Sequence, residues 1–151
     1  MNSQTGITSR CGDYTGIQRP VLFLFSFQSI SHHFLYLVLS SPSERTQSTL
    51  DLVLSSFDPI PTTTYKESIY HASASSLIQL ITEQDDEINN LLIIGHNPGL
   101  HILTETLTNE SIVKFPTCAL AKITNFNHWK DIDAGILNLE SLITPKELKH
   151  D

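Results

Sequence analysis

Basic residues are scarce in this chain: nine Lys and Arg stand against sixteen Asp and Glu, a formal net charge of -7 over 151 residues. Nucleic acid and anionic membranes demand a basic surface, so general affinity for either is excluded, while a small local anion pocket is not. Cysteine is nearly absent. Cys11 and Cys118 form neither a disulfide framework nor a metal-ligand spacing, and a reducing cytoplasm is the expected compartment. Long apolar runs are missing as well. Residues 20–43 hold no Asp, Glu, Lys or Arg, yet Ser26, Gln28, Ser29, Ser31, His32 and His33 break them up, and a membrane span needs about 20 mainly apolar residues. Residues 1–20 lack the basic start and cleavage pattern of a signal peptide. No His pair with a third ligand has metal-site spacing, and there is no repeat or low-complexity tract. The length suits one domain with a real core.

What is present alternates in period. Residues 1–19 are polar without a hydrophobic period and read as irregular, and residues 21–25 are strongly apolar. From residue 35 the chain becomes orderly: residues 35–39, Leu-Tyr-Leu-Val-Leu, suit a strand buried on both faces. A helix follows, with Ser41 as the expected N-cap, Pro42 in its first turn and Glu44 completing a capping box. Leu50, Val53, Leu54 and Phe57 form its apolar stripe, and Pro59 and Pro61 end it. Residues 62–70 read as a loop with a short strand. Ser73 opens a second helix, with Leu77, Ile78 and Ile81 inward, ending near Asp85 and Asp86. Residues 91–94 are a buried strand stopped by Gly95, and a third helix spans 99–107. Residues 119–123 and 135–139 are expected as two closing strands. Strands alternating with helices predict an α/β three-layer sandwich with a mostly parallel central sheet.

Two strand-to-helix corners carry the chemistry. At one, His96 stands at the end of a strand, Asn97 is the expected cap of the following helix, and Pro98 fits its first turn. An imidazole is thus held beside helix N–H groups that favour an anion, at the sheet edge where open α/β folds bind ligands. At the other, Arg45 follows Ser41 by four residues. A cation in the first turn opposes the helix dipole, so Arg45 is either a solvated surface residue or the counter-charge of a bound anion. In a parallel sheet both corners share one edge. A guanidinium and hydroxyls then meet an imidazole and helix N–H groups, which is a phosphate-binding arrangement. His101 is expected on the exposed face of the third helix.

These segments resemble the histidine phosphatase superfamily, which includes the phosphoglycerate mutases. Residues 40–49, Ser-Ser-Pro-Ser-Glu-Arg-Thr-Gln-Ser-Thr, are similar to its SSPxxRTxQT block. Residues 95–100, Gly-His-Asn-Pro-Gly-Leu, match the second histidine motif of the SixA branch, the bacterial phosphohistidine phosphatases. Residues 67–73, residues 115–121, Trp129 and residues 143–148 resemble further segments of that branch. The resemblance covers residues 35–149, expected as the phosphatase-like domain, with residues 1–34 a divergent N-terminal segment. It implies a phosphoglycerate mutase-like fold and a phosphatase that uses no metal and no cofactor. A histidine becomes phosphorylated, a second histidine and two arginines hold the phosphoryl oxygens, and water completes hydrolysis. Carried over, Arg45 and His96 are catalytic, and Ser41, Asn97 and His71 bind substrate. The implied partner is a phosphohistidine-bearing carrier protein or a small phosphorylated substrate.

One motif departs. The family's nucleophile lies in an Arg-His-Gly triplet ending a first strand, and this sequence has no such triplet. Arg10-Cys11-Gly12 is superficially close, but no hydrophobic strand precedes it. On this alignment the first strand and nucleophile are expected before Met1, the N-terminal third being truncated and partly read out of frame, or decayed. The family's strand is therefore missing or replaced: residues 21–25 refill its place in the sheet, or an edge is left open to association.

Overall fold

The computed structural model describes residues 21–26 and 36–144, apart from 56 and 125–127, with side chains from Leu37 onward. The readings of Arg10-Cys11-Gly12, His32, His33 and residues 145–148 lie outside the described residues. Six strands form one sheet: β1 Val21–Ser26, β2 Tyr36–Ser40, β3 Thr62–Tyr65, β4 Asn90–Gly95, β5 Leu120–Thr124 and β6 Asn138–Ile143. Their spatial order is β3-β2-β4-β1-β5-β6. β3, β2 and β4 are mutually parallel, β1 is antiparallel to β4 and parallel to β5, and β6 closes antiparallel to β5. The apolar run 21–25 therefore lies inside the sheet, between β4 and β5.

Helices cover both faces. α1 (Glu44–Leu54) lies on one, α2 (Ala74–Thr82) and α3 (Gly99–Thr108) on the other. Strand alternation sorts the core between them. Val38, Leu92, Ile94 and Leu120 meet Leu50 and Val53 of α1. Leu39, Leu91, Ile93, Ala121 and Ile123 face the other way, onto Leu77 and Ile81 of α2 and Leu100, Leu103 and Leu107 of α3. All six residues of β4 are buried, as expected of a strand covered on both faces. This is the three-layer α/β arrangement, with two helical layers around a sheet whose β3-β2-β4 half is parallel.

Three local expectations are corrected. The N-cap of α1 is Ser43, whose Oγ accepts from the Thr46 N–H at 3.3 Å. Ser41 is fully buried two residues earlier, with its N–H donated to Ile94 O and its carbonyl accepting from Thr46 Oγ1, so it belongs to the sheet edge rather than the helix. At α3 the cap position is Pro98, with no side-chain cap, because the Asn97 amide donates to Phe115 O at 2.8 Å instead. The last strand runs Asn138–Ile143 rather than 135–139: Gly135 and Leu137 donate their N–H groups to Thr106 O and Leu107 O, tying that segment to the end of α3. A short strand does form within 62–70, at Thr62–Tyr65, and Ser73 opens the second helix, its Oγ accepting from the Ser76 N–H at 3.2 Å, although that helix ends at Thr82, before Asp85.

Candidate functional site

β2 and β4 are parallel neighbours, with Ser40 opposite Ile94, so their C-terminal ends lie side by side. The chain turns from β2 into α1 at Ser41 and from β4 into α3 at His96. The two corners touch directly: His96 Nε2 and Ser41 Oγ are 2.9 Å apart, a hydrogen bond across 55 positions whose direction follows the imidazole tautomer. Ser41 can reach only from this place, because its backbone is fixed to Ile94 O on one side and Thr46 on the other. Arg45 is exposed in the first turn of α1.

Burial holds the His96 pKa below the ordinary value of 6.5, and the positive charges of His71 and Arg45 push the same way. The ring is therefore neutral at pH 7, one nitrogen a donor and the other an acceptor, with Nε2 engaged by Ser41. The sign for stability follows. Between its folded and unfolded pKa values His96 binds fewer protons in the fold than in the unfolded chain. Its contribution is complete above about 6.5, falls as the pH drops, and levels off below the folded value. Melting temperatures of the chain and of His96→Gln, recorded from pH 7.5 to 5, should converge on acidification, since the amide does not titrate. Parallel curves would show that His96 titrates alike in both states.

His71 stands across from His96. Residues 71–73 and 96–99 line a cavity of about 180 Å³ between them, at the starts of α2 and α3. His71 has left-handed backbone, φ 56°, and an exposed side chain. Asn97 lines the cavity, but its amide is engaged by Phe115 O. Ser41 and Arg45 lie outside this lining, on the neighbouring corner. The sequence reading did not single out Tyr70, whose ring stands edge-on to both His71 (4.1 Å between centroids) and His96 (5.4 Å). Its place beside His71 in the SixA-like segment was the available signal. His101 corrects another expectation. It is half-buried, its Nε2 bonds Ile112 O at 2.9 Å, and its ring stacks on Phe115, so it braces the loop after α3.

No family model matches the chain. Two curated relatives, the uncharacterized proteins MT1313 and Rv1276c from two strains of Mycobacterium tuberculosis, are each 29% identical over 92 residues, 54% of this chain and 58% of theirs. The matched stretch is thus under two thirds of those proteins' length. Among solved structures, a candidate phosphohistidine phosphatase SixA from Nakamurella multipartitia is similar over 84% of this chain and 96% of its own, at 13% identity and TM-score 0.63. A candidate SixA from Agrobacterium tumefaciens is similar over 85% and 99%, at 18% identity and TM-score 0.60. Among the described residues no helix is long and apolar enough to cross a membrane. With the corners of two parallel neighbouring strands joined through Ser41 and His96, the chain has the fold of these SixA structures, the phosphoglycerate mutase-like α/β arrangement.

Proposed function

We propose that this chain is a SixA-like phosphohistidine phosphatase that retains phosphoryl binding and is impaired in hydrolysis for want of the nucleophilic histidine. Its substrate would be a phosphohistidine-bearing carrier protein, with Arg45 and His96 holding the phosphoryl oxygens, the buried Ser41 fixing the His96 ring, and the N-terminal N–H groups of α3 adding donors. The observation that carries the reading is the 2.9 Å contact between Ser41 Oγ and His96 Nε2, which joins the corner where Arg45 stands in the first turn of α1 to a half-buried imidazole. Donors fixed in advance are what a transferring phosphoryl group requires. A second reading, a phosphate- or phosphoprotein-binding protein without turnover, is favoured by one feature. β1 runs against β4, and its last residue, Ser26, lies opposite Asn90, at the edge away from His96.

Titration of the full chain with inorganic phosphate, followed by calorimetry or by ³¹P line widths, tests the pocket. Hydrogen bonds to a charged group are worth about 1.5–3 kcal/mol, so Arg45→Ala and His96→Ala should each weaken binding by roughly ten- to a hundredfold. Phosphate affinity that is immeasurable, or indifferent to both substitutions, would overturn the reading.

A further inference from the structure

A phosphoryl group held at the Ser41–His96 corner leaves the neighbouring cavity for whatever carries it. That cavity, bounded by His71, Ala72 and Ser73 on one side and His96, Pro98 and Gly99 on the other, is about 180 Å³. Pockets for drug-sized ligands run about 300–1,000 Å³, so this one suits a single small ring rather than a nucleotide. Resting on the phosphoryl-binding reading above, the geometry points to His71 as a specificity-determining residue, whose ring stacks on the flat imidazole of the carrier's phosphohistidine. Tyr70 is its positioning residue, setting the ring's distance from His96.

The backbone argues for this role. A left-handed φ of 56° is unfavourable for a residue with a Cβ, although histidine tolerates it better than most. The segment is forced into place: a Cβ on Gly99 would lie 2.5 Å from the Ala72 carbonyl oxygen, so only glycine lets residues 70–73 press against the start of α3. Internal bonds from Tyr70 N–H to Glu67 O and from Ala72 N–H to Ile69 O complete the turn. Yet the side chain so placed is exposed, and the ring it meets, Tyr70, is itself 49% exposed. The strain is not returned by burial of the His71 ring, which marks a position held for use rather than for packing. Tyr70 meets His71 at 62° and His96 at 89°. An edge-to-face contact engages at most one face of a ring, and the other is left for a flat partner in offset stacking.

The test compares three ligands on the full chain: a peptide bearing phosphoryltriazolylalanine, a hydrolysis-stable phosphohistidine mimic; the same peptide bearing phosphoserine; and inorganic phosphate. The wild-type chain should prefer the triazole peptide over the phosphoserine peptide by up to about tenfold, the upper range for one aromatic pair. His71→Gly should abolish that preference with the melting temperature unchanged or raised, because glycine adopts the left-handed backbone freely. His71→Asn, which also tolerates that backbone, provides the same test without added flexibility. Tyr70→Phe should keep the preference and Tyr70→Ala lose it. An intact preference in both His71 variants, or an equal loss for all three ligands, overturns the role of His71. Phosphate bound with no preference for the triazole in the wild-type chain overturns this inference alone. A chain that binds none of the three overturns the phosphoryl-binding reading as well.

Discussion

Purified chain should hydrolyse p-nitrophenyl phosphate or a phosphohistidine protein no faster than its own His96→Ala variant, even though the variant binds phosphate less well. The route implied by the family resemblance needs a histidine at the end of a first strand, on the sheet edge that carries His96. Here the first strand, β1, runs against β4: Val21 lies opposite Gly95, and Ser26 opposite Asn90. At about 3.3 Å per residue, the end of β1 is roughly 17 Å from the His96 edge. A histidine introduced there would stand at the opposite end of the strands from His96. Loss of a covalent nucleophile has cost about a millionfold in kcat in a serine protease, with a small residual contributed by binding and oxyanion contacts. Rapid turnover that disappears in His96→Ala would show that another group supplies the nucleophile, and it would restore the intact-enzyme reading.

The direction of β1 shows where sequence reasoning stops. The run Val-Leu-Phe-Leu-Phe is apolar throughout, and an apolar run has no polarity: it pairs equally well either way, and neighbouring strands decide. The β2 and β4 strands and the helices after them were legible because each carries several agreeing signals, namely a buried run, a small polar residue at the turn and an apolar stripe at helical spacing. The two strand-to-helix corners were legible for the same reason, since both follow from element order alone. Ser41 was not read correctly. Locally it is as good a cap as Ser43, and the choice is made by His96, 55 residues away. Asn97 likewise gives up its capping role to a carbonyl at Phe115. The closing strand was misplaced because β5 and β6 shift register between Lys122 and Ile123, which disturbs the alternation that marks a strand.

Trp129→Ala should destabilise the chain by about 3–5 kcal/mol, a large part of the 5–15 kcal/mol that holds a typical domain together. At this size that lowers the melting temperature by roughly 6–20 °C, measurable by circular dichroism. Trp129 is the sole tryptophan, and it is 0% exposed. It packs in the core on the α2 and α3 face, and its indole N–H donates to Ile88 O at 2.9 Å. Its backbone N–H donates to Asp86 Oδ1 at 3.1 Å, while Asp86 Oδ2 holds His128 Nδ1 at 2.9 Å. Those two bonds keep the Asp86 carboxyl below its usual 3.8, with the His128 bond the larger cause. The connection after β5 is thereby pinned to the turn that leads from α2 into β4. Trp129→Phe separates the two contributions. It keeps most of the ring volume but strands the Ile88 carbonyl, at a cost of about 1–3 kcal/mol. Ile88 lies two residues before β4, the strand that delivers His96, so a loosened anchor should also weaken phosphate binding, by less than His96→Ala does. A loss below about 1 kcal/mol in Trp129→Ala would mean that the site collapses around the missing ring, and that β4 is held in place by its neighbours in the sheet alone.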